Sequence, residues 1–431
     1  MPKQPFISIP LDIPDLRVLQ TDLTQADEFI LTVESTLEST TCRRCGRTIT
    51  ELHGLDKSRL LRHLPILGRP VYLRIRPKRF RCPFCDDHPT TTQELDWYDP
   101  NALHTKAYER HLILQLVNST LTDVGAKEDV TTDALEGMLD RWVAGSCDWE
   151  VLKTLKLTTL GLDEIALLKG HRDFVAVISG RTEQGRLLLL AILPDRRKET
   201  ILTWLKSIPS GIREGIQTVC TDMWEAYISA VQEALPGATL VIDRFHVARA
   251  YRKCVDSLRT QELRRLKKEL PKELQLELKQ TLWPFRKRET SLDDDEKARL
   301  ECLLGHSRAL RQAYRLREEL TRIFDTARSK ADGLRRLRFW EWRVVKSGLE
   351  CFEPFLALLD RWRELIANYF IRRQSSGFVE GLNNKLKVLK RRCYGLRNIT
   401  RFFQRLTLDL EGYRLFSPWH TTTSSDLHGN S

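Results

Sequence analysis

The sequence predicts a multidomain α/β protein: a mixed sheet with helices forms a catalytic core, an all-helical insertion interrupts it, and zinc-ribbon and helix-turn-helix-like modules precede it. Three observations carry this prediction. Strand-like apolar runs alternate with helical runs between about Lys153 and Phe245, two Cys-x2-Cys pairs stand ahead of them, and a long charge-rich stretch without strand signals follows. At 431 residues the chain is too long for one core, so two to four domains are expected. Shifts in composition place a zinc-binding ribbon at 1–98, a helix-turn-helix-like domain at 99–150 and the first part of the core at 151–259. They place the insertion at 260–374, the C-terminal helical part of the core at 375–415 and an unstructured polar tail at 416–431.

The elements follow in order. FILTVEST and PVYLRIR read as strands between basic turns. AYERHLILQLVN, LTDVGAKEDV and TDALEGMLDRWV read as helices, and a turn at Glu128–Thr131, with Thr131 or Thr132 as N-cap, makes the last two a helix-turn-helix arrangement. TTLGLDEIALL, DFVAVISG and LLLLAILP are three strands in succession, with Gly180 and Gly185 as hairpin formers between the second and third. KETILTWLKSI is a helix, IQTVCTD a buried strand, AYISAVQEAL a helix, ATLVIDRF a strand, and a long helix starts near His246. That order, β-β-β-α-β-α-β-α, is the ribonuclease-H arrangement.

Asp163 falls in the first core strand and Asp222 at the end of the fourth, so the two can meet at one edge of the sheet. Glu380 lies in SSGFVEGLNNKLKVLKRR, where Ser375 or Ser376 can cap a helix and Leu382, Leu386 and Leu389 give it an apolar face. Two-metal phosphoryl transfer needs hard oxygen ligands converging from separate segments, and these three acids are the candidates for two Mg²⁺ or Mn²⁺ ions. Glu164 is expected to face away by strand alternation. Glu225, Glu350 and Glu353 are rival third ligands, but the last two border an apolar run, whereas Glu380 is flanked by the phosphate-binding candidates Asn384, Lys387, Lys390, Arg391 and Arg392. Asp243 and His246 stand close enough to orient a DNA strand or tune a water, or else form a capped strand-to-helix junction.

Cys42-x2-Cys45 and Cys82-x2-Cys85 supply a tetrahedral Cys₄ set for one structural Zn²⁺, with His53, His63 and His88 as substitute ligands. The other six cysteines, Cys147, Cys220, Cys254, Cys302, Cys351 and Cys393, read as ordinary thiols. The chain carries 70 Lys+Arg against 58 Asp+Glu, a formal charge of +12, which suits nucleic acid. The excess is concentrated: 42–82 holds twelve basic and two acidic residues, and 372–405 ten and one. Two polyanion surfaces are expected, the first using Arg74, Arg76, Lys78, Arg79 and Arg81. The would-be recognition helix carries Asp133, Glu136 and Asp140, so packing or dimerisation stands beside base reading as its role. No leader-like apolar stretch and no run of about 18 apolar residues appears, so a cytoplasmic, nucleoid-associated protein without a membrane partner is expected.

The paired knuckles with a ribbon ending RFRCPFC, then GLDEIA, TDMWEAY, VIDRFHV and SSGFVEGLNNKLKVLKRRCYGLRN, resemble the ISL-three family of bacterial insertion-sequence transposases over nearly the whole chain. The resemblance implies a DDE site of Asp163, Asp222 and Glu380 that cuts at the element's ends and joins the freed 3′-OH to target DNA. It also implies recognition of terminal inverted repeats in double-stranded DNA by the N-terminal domains, and a homo-oligomer, most simply a dimer. The chain departs from the family at Gly125, where alanine is usual, and at Asp129, where glycine is usual. A catalytically inactive DNA-binding descendant and a structure-specific nuclease are the alternative functions.

Overall fold

The structure is a computed structural model that describes residues 11–166, 174–278, 281–373, 377–393 and 398–417 and, of 273, 277, 377–380 and 383, the backbone alone. The polar tail from 418 and Tyr394 lie outside the described residues. The chain divides into two compact units, 1–143 with 407–431, and 144–406.

In the first unit, strands Leu16–Leu23, Phe29–Ser35, Arg69–Ile75 and Arg59–Ile66 form one sheet in that spatial order. The middle pair is parallel and the outer pairs antiparallel. Alternate residues Leu31, Val33, Val71, Leu73 and Ile75 are buried, the period expected of a half-covered sheet. Strands Glu51–Leu55, Lys78–Arg81 and Thr90–Thr92 make a second sheet, and Thr40–Thr41 pairs with Thr48–Ile49.

Helices Lys106–Gln115, Leu121–Glu128 and Thr132–Trp142 follow. Thr105, Thr120 and Thr131 cap them, each hydroxyl accepting from the amide of Tyr108, Asp123 or Ala134, which satisfies a donor that a helix start leaves open. Leu112, Leu135 and Leu139 are buried together with Leu408 and Phe416, which the returning chain contributes. The wholly buried Glu109 is satisfied by Arg141, at 2.6 Å, and by the Trp142 indole, at 2.8 Å. The turn between the second and third helices explains both departures noted above. Asp129 takes the left-handed conformation (φ 51°), which Asp tolerates better than most residues. A Cβ on Gly125 would stand 2.6 Å from the Val130 carbonyl oxygen, so an alanine has no room against this turn.

The second unit holds a five-stranded sheet. Its first to fifth core strands are Leu157–Ala166, Phe174–Thr182, Leu187–Leu193, Thr218–Thr221 and Thr239–Ile242, in the spatial order third, second, first, fourth, fifth. The first three pair antiparallel, and the fourth and fifth add parallel to the first. Helices Lys198–Ser207 and Glu225–Ala234 connect the strands. Gly185 (φ +86°) occupies the turn between the second and third strands, but Gly180 lies within the second strand rather than at its hairpin. There a Cβ would meet Leu157 at 2.5 Å and Leu190 at 2.9 Å, so the glycine serves close packing and not chain reversal.

From Arg244 to Arg372 the described residues are helical wherever they are regular, beginning with the 26-residue helix Arg244–Glu269. Tyr251 on that helix is buried against Trp340, Phe352 and Phe355, and its hydroxyl donates to the Ala313 carbonyl at 2.9 Å. Each such aromatic pair adds about 0.5–1.5 kcal/mol beyond its burial, which fixes the helical body to the long helix. Asn368 donates to the Leu240 carbonyl at 2.7 Å, so the helical body also covers the fifth, edge strand.

Candidate active site

The parallel register brings three aspartates to one level. Leu162, Thr221 and Ile242 form one rung across the first, fourth and fifth core strands. Asp163, Asp222 and Asp243 each stand one residue beyond it, on strands about 4.8 Å apart. The Asp243 amide donates to the Thr221 carbonyl at 2.9 Å, extending the ladder by that step. Asp243 also caps the long helix, accepting from the Phe245 amide at 3.0 Å, so it is at once the junction cap and a residue of the site. The carboxyl ends of parallel strands are where an open α/β sheet presents its ligand crevice.

A cavity of about 370 Å³ opens there, lined by the three aspartates, Glu164, Phe245, His246, Arg249 and, from the helix Gly377–Arg392, Asn384 and Lys387. The separation of charge is clear: carboxylates come from the strand ends and cations from the two helices. Burial raises the Asp222 carboxyl to about 6; the His246 imidazole opposes this, the Asp163 and Glu164 charges reinforce it, and the Trp224 amide, donating at 3.1 Å, opposes it weakly. Tyr227 is wholly buried, and burial together with the charges of Asp222, Glu164 and Asp163 raises its phenol. Its hydroxyl has no hydrogen-bond partner among the described residues. The carboxylates of Asp163, Glu164, Asp222 and Asp243 are hard-oxygen donors, the ligand class that Mg²⁺ and Mn²⁺ take.

Glu164 does not turn away from the site, as strand alternation led us to expect. The cavity wraps the end of the strand, so consecutive residues Asp163, Glu164 and Ile165 all line it. Glu164 is instead taken up by Arg196. That guanidinium also lies 4.1 Å from the Trp224 ring centre and 4.5 Å from that of Phe174. Nothing in the linear spacing singles out Arg196. Arg249 is different, since Arg249 and Arg252 follow Phe245 of VIDRFHV at helical spacing.

Among the rival acids, Glu225 is paired with Arg361 at 2.5 Å, and Glu350 and Glu353 do not line the cavity. Glu380 stands one helical turn before Asn384; its side chain lies outside the described residues, as do Ser375 and Ser376. Leu382, Leu386 and Leu389 are buried. Lys390, half-buried, donates to the Ala166 carbonyl and ties this helix to the first core strand; burial lowers its pKa. Arg391 is exposed and Arg392 half-buried.

The model of the ISL3 transposase family, described as "Transposase", matches residues 160–406, a span that contains every residue lining the cavity. The chain belongs to the ISL3 family of transposases. A second family model, described as "zinc-finger of transposase IS204/IS1001/IS1096/IS1165", matches residues 38–85 of this ISL3 transposase. The "Transposase for insertion sequence element IS1001" of Bordetella parapertussis is 28% identical over 375 residues, 86% of this chain and 89% of that one. The "Transposase for insertion sequence element IS1557" of Mycobacterium tuberculosis is 23% identical over 398 residues, 87% of each. A solved structure, "Drosophila P element transposase strand transfer complex", is 11% identical with a TM-score of 0.40, covering 72% of this chain and 92% of that one.

The zinc-ribbon match contains all four knuckle cysteines of the ISL3 transposase, whose sulfur atoms lie within 4.8 Å of one another. They are suited to one structural zinc ion. The backbone N–H groups of Cys45 and Arg44 lower the Cys42 thiol to about 6, toward the thiolate a metal requires. The three histidines are occupied elsewhere: His63 meets the Thr105 hydroxyl at 2.9 Å, His53 meets Arg81 at 3.0 Å, and His88 donates to the Cys82 carbonyl at 3.1 Å. Arg74 and Arg76 are exposed, and Arg76 donates to the Asp56 carbonyl at 3.3 Å; Lys78, Arg79 and Arg81 bond to the Leu37 carbonyl, Thr90 and Glu51 respectively. No helix among the described residues is long and apolar enough to cross a membrane.

Proposed function

We propose that this transposase binds the terminal inverted repeats of its insertion sequence and cuts and joins DNA at the cavity between the aspartates and the Gly377–Arg392 helix. The observation that carries this reading is that Asp163, Asp222 and Asp243, each one residue beyond a shared rung, line one cavity with Asn384 and Lys387. The strand order third-second-first-fourth-fifth, with the last two parallel to the first, supports a ribonuclease-H-like core. In this reading the helices Leu121–Glu128 and Thr132–Trp142 form a helix-turn-helix.

Asp163, Asp222 and Glu380 would hold two divalent ions, Mg²⁺ or Mn²⁺, which when bound polarise the phosphodiester and acidify the attacking water or 3′-OH. The chain's own residues do the rest. Asn384 donates to a non-bridging phosphate oxygen, and Lys387 and Arg249 offset the charge of the phosphates on either side of the scissile bond. Asp243, by capping the long helix, fixes where His246 and Arg249 point. Arg196 holds Glu164 away from the scissile phosphate, so that a surplus carboxylate does not repel the substrate.

The assignment of the third acid is tested by Glu380→Gln beside Glu225→Gln, with Asp163→Asn as reference. Metal-dependent nicking of an element-end duplex should fall by at least about 10³-fold in Glu380→Gln and Asp163→Asn, with DNA affinity nearly intact and Glu225→Gln close to wild type. Full activity in Glu380→Gln would exclude it as a ligand.

A further inference from the structure

We propose that a second cavity beside the catalytic one receives a nucleotide of the substrate strand, unstacked from the duplex next to the bond that is cut. This rests on the DNA-cleaving reading above and names where the strand goes after it leaves the acids.

The second cavity has a volume of about 320 Å³ and shares Asp243 and Phe245 with the first, so the two adjoin. Its floor is apolar: Val247, Tyr251, Leu320 and Phe324 are all buried. Its rim is cationic, with guanidinium groups from Arg244, Arg252, Arg286, Arg288 and Arg317. An aromatic-walled floor under a ring of guanidinium groups complements a flat base that carries a phosphate, and the enclosed volume suits one nucleotide and not a duplex. The positive charge of the rim is incompletely offset. Arg286 pairs with Asp256 and Arg317 with Glu318, while Asp325 alone serves both Arg244, at 2.7 Å, and Arg288, at 3.3 Å. Arg252 is exposed and forms no ion pair among the described residues. Phe245 is 40% exposed at the boundary between the cavities, its ring perpendicular to that of His246 with centroids 5.6 Å apart, one residue from Arg244. Arg249 and Arg252, one and two turns further along the same helix, continue the line of cations away from the acids. A strand held at the aspartates therefore meets first a stacking surface and then phosphate partners. Extruding a base costs stacking and pairing with its neighbours, and stacking on Phe245 returns part of that.

The test uses the full chain and a duplex carrying the DNA that flanks its gene, with Ca²⁺ replacing Mg²⁺ so that binding is read without cleavage. A single abasic site is moved one nucleotide at a time across the cleavage position. Phe245→Ala should weaken the intact duplex roughly tenfold, and should cost nothing on the duplex abasic at the one position whose base enters the cavity. Phe245→Trp should restore the intact duplex, and Arg252→Ala should weaken every duplex and lower the salt dependence by about one phosphate contact. An equal loss in Phe245→Ala on every duplex, or none on any, overturns the inference. So does tight binding of deoxyadenosine monophosphate that depends on Phe245 with a flat abasic scan, which would make the occupant a free nucleotide. Metal-dependent cleavage by wild type with a flat scan refutes this cavity's role alone. Absence of both binding and cleavage refutes the DNA-cleaving reading and this inference with it.

Discussion

At the scale of single residues, the site is defined by Asp222, whose carboxyl is raised to about 6 by burial and by Asp163 and Glu164. The folded state holds a proton that the unfolded chain, with an ordinary aspartate near 3.8, has already released. The ionisation of Asp222 therefore costs nothing below that value, costs progressively more as pH rises from about 4 to 6, and costs its full amount above. That amount is at most about 3 kcal/mol. Asp222→Asn should accordingly melt a few degrees higher than wild type at pH 7.5 in chelator, with the difference vanishing toward pH 4. Mg²⁺ should raise the melting temperature of wild type and leave the variant where it is. Equal melting at pH 7.5 would mean that Asp222 is not strained by its neighbours. That Asp163 lies within the first core strand and Asp222 just past the fourth was legible in the sequence, because strands can be read from apolar runs. That Glu164 shares their cavity was not, because alternation describes a strand's middle and the cavity wraps its end. Arg196 was invisible for a related reason, since its three partners, Glu164, Phe174 and Trp224, come from three separate segments.

At the scale of elements, caps and knuckles were the readable features. Thr131 is an N-cap as the spacing predicted, and the two Cys-x2-Cys pairs converge. We expect one zinc per chain by elemental analysis, lost in Cys82→Ser, with proteolysis opening the 38–92 segment while the core from Ala144 stays resistant. Zinc retained in that variant would contradict a Cys₄ site. Glycines were less readable. Gly180 is a packing position that sequence alone presents as a turn, because the contact that demands it, with Leu157 and Leu190, is made across the sheet. Gly125 answers to the Val130 carbonyl, a backbone atom that cannot move aside. Gly125→Ala should therefore lose about 1–3 kcal/mol locally despite alanine's better helix propensity. The readout is a faster tryptic cut after Lys127. An unchanged rate would show that the turn can relax.

At the scale of the whole molecule, the linear order conceals how segments are shared. Residues from Thr407 onward return to the first unit, where Leu408 joins Leu112 and Leu139 in one core, and no periodicity announces such a return. The long helical stretch reads correctly as helix from its charge spacing. Its aromatic anchors are another matter: Trp340 is buried with its indole donating to the Leu316 carbonyl, whereas Trp342, two residues on, is exposed. The basic excess in 42–82 and 372–405 falls in different units, one with the zinc ribbon and the other beside the aspartates. In the proposed function, repeat binding and chemistry belong to separate parts of one chain. The claim that joins them is that this chain cuts DNA at the aspartate rung. It is tested most directly with a labelled duplex carrying the DNA that flanks this gene, incubated with Mg²⁺ or Mn²⁺ and either wild type or Asp222→Asn. Nicking at one defined position by wild type, absent without metal and absent in the variant, is the predicted result. Equal nicking by both proteins, or tight binding by wild type with no cleavage when both element ends are supplied, would contradict it.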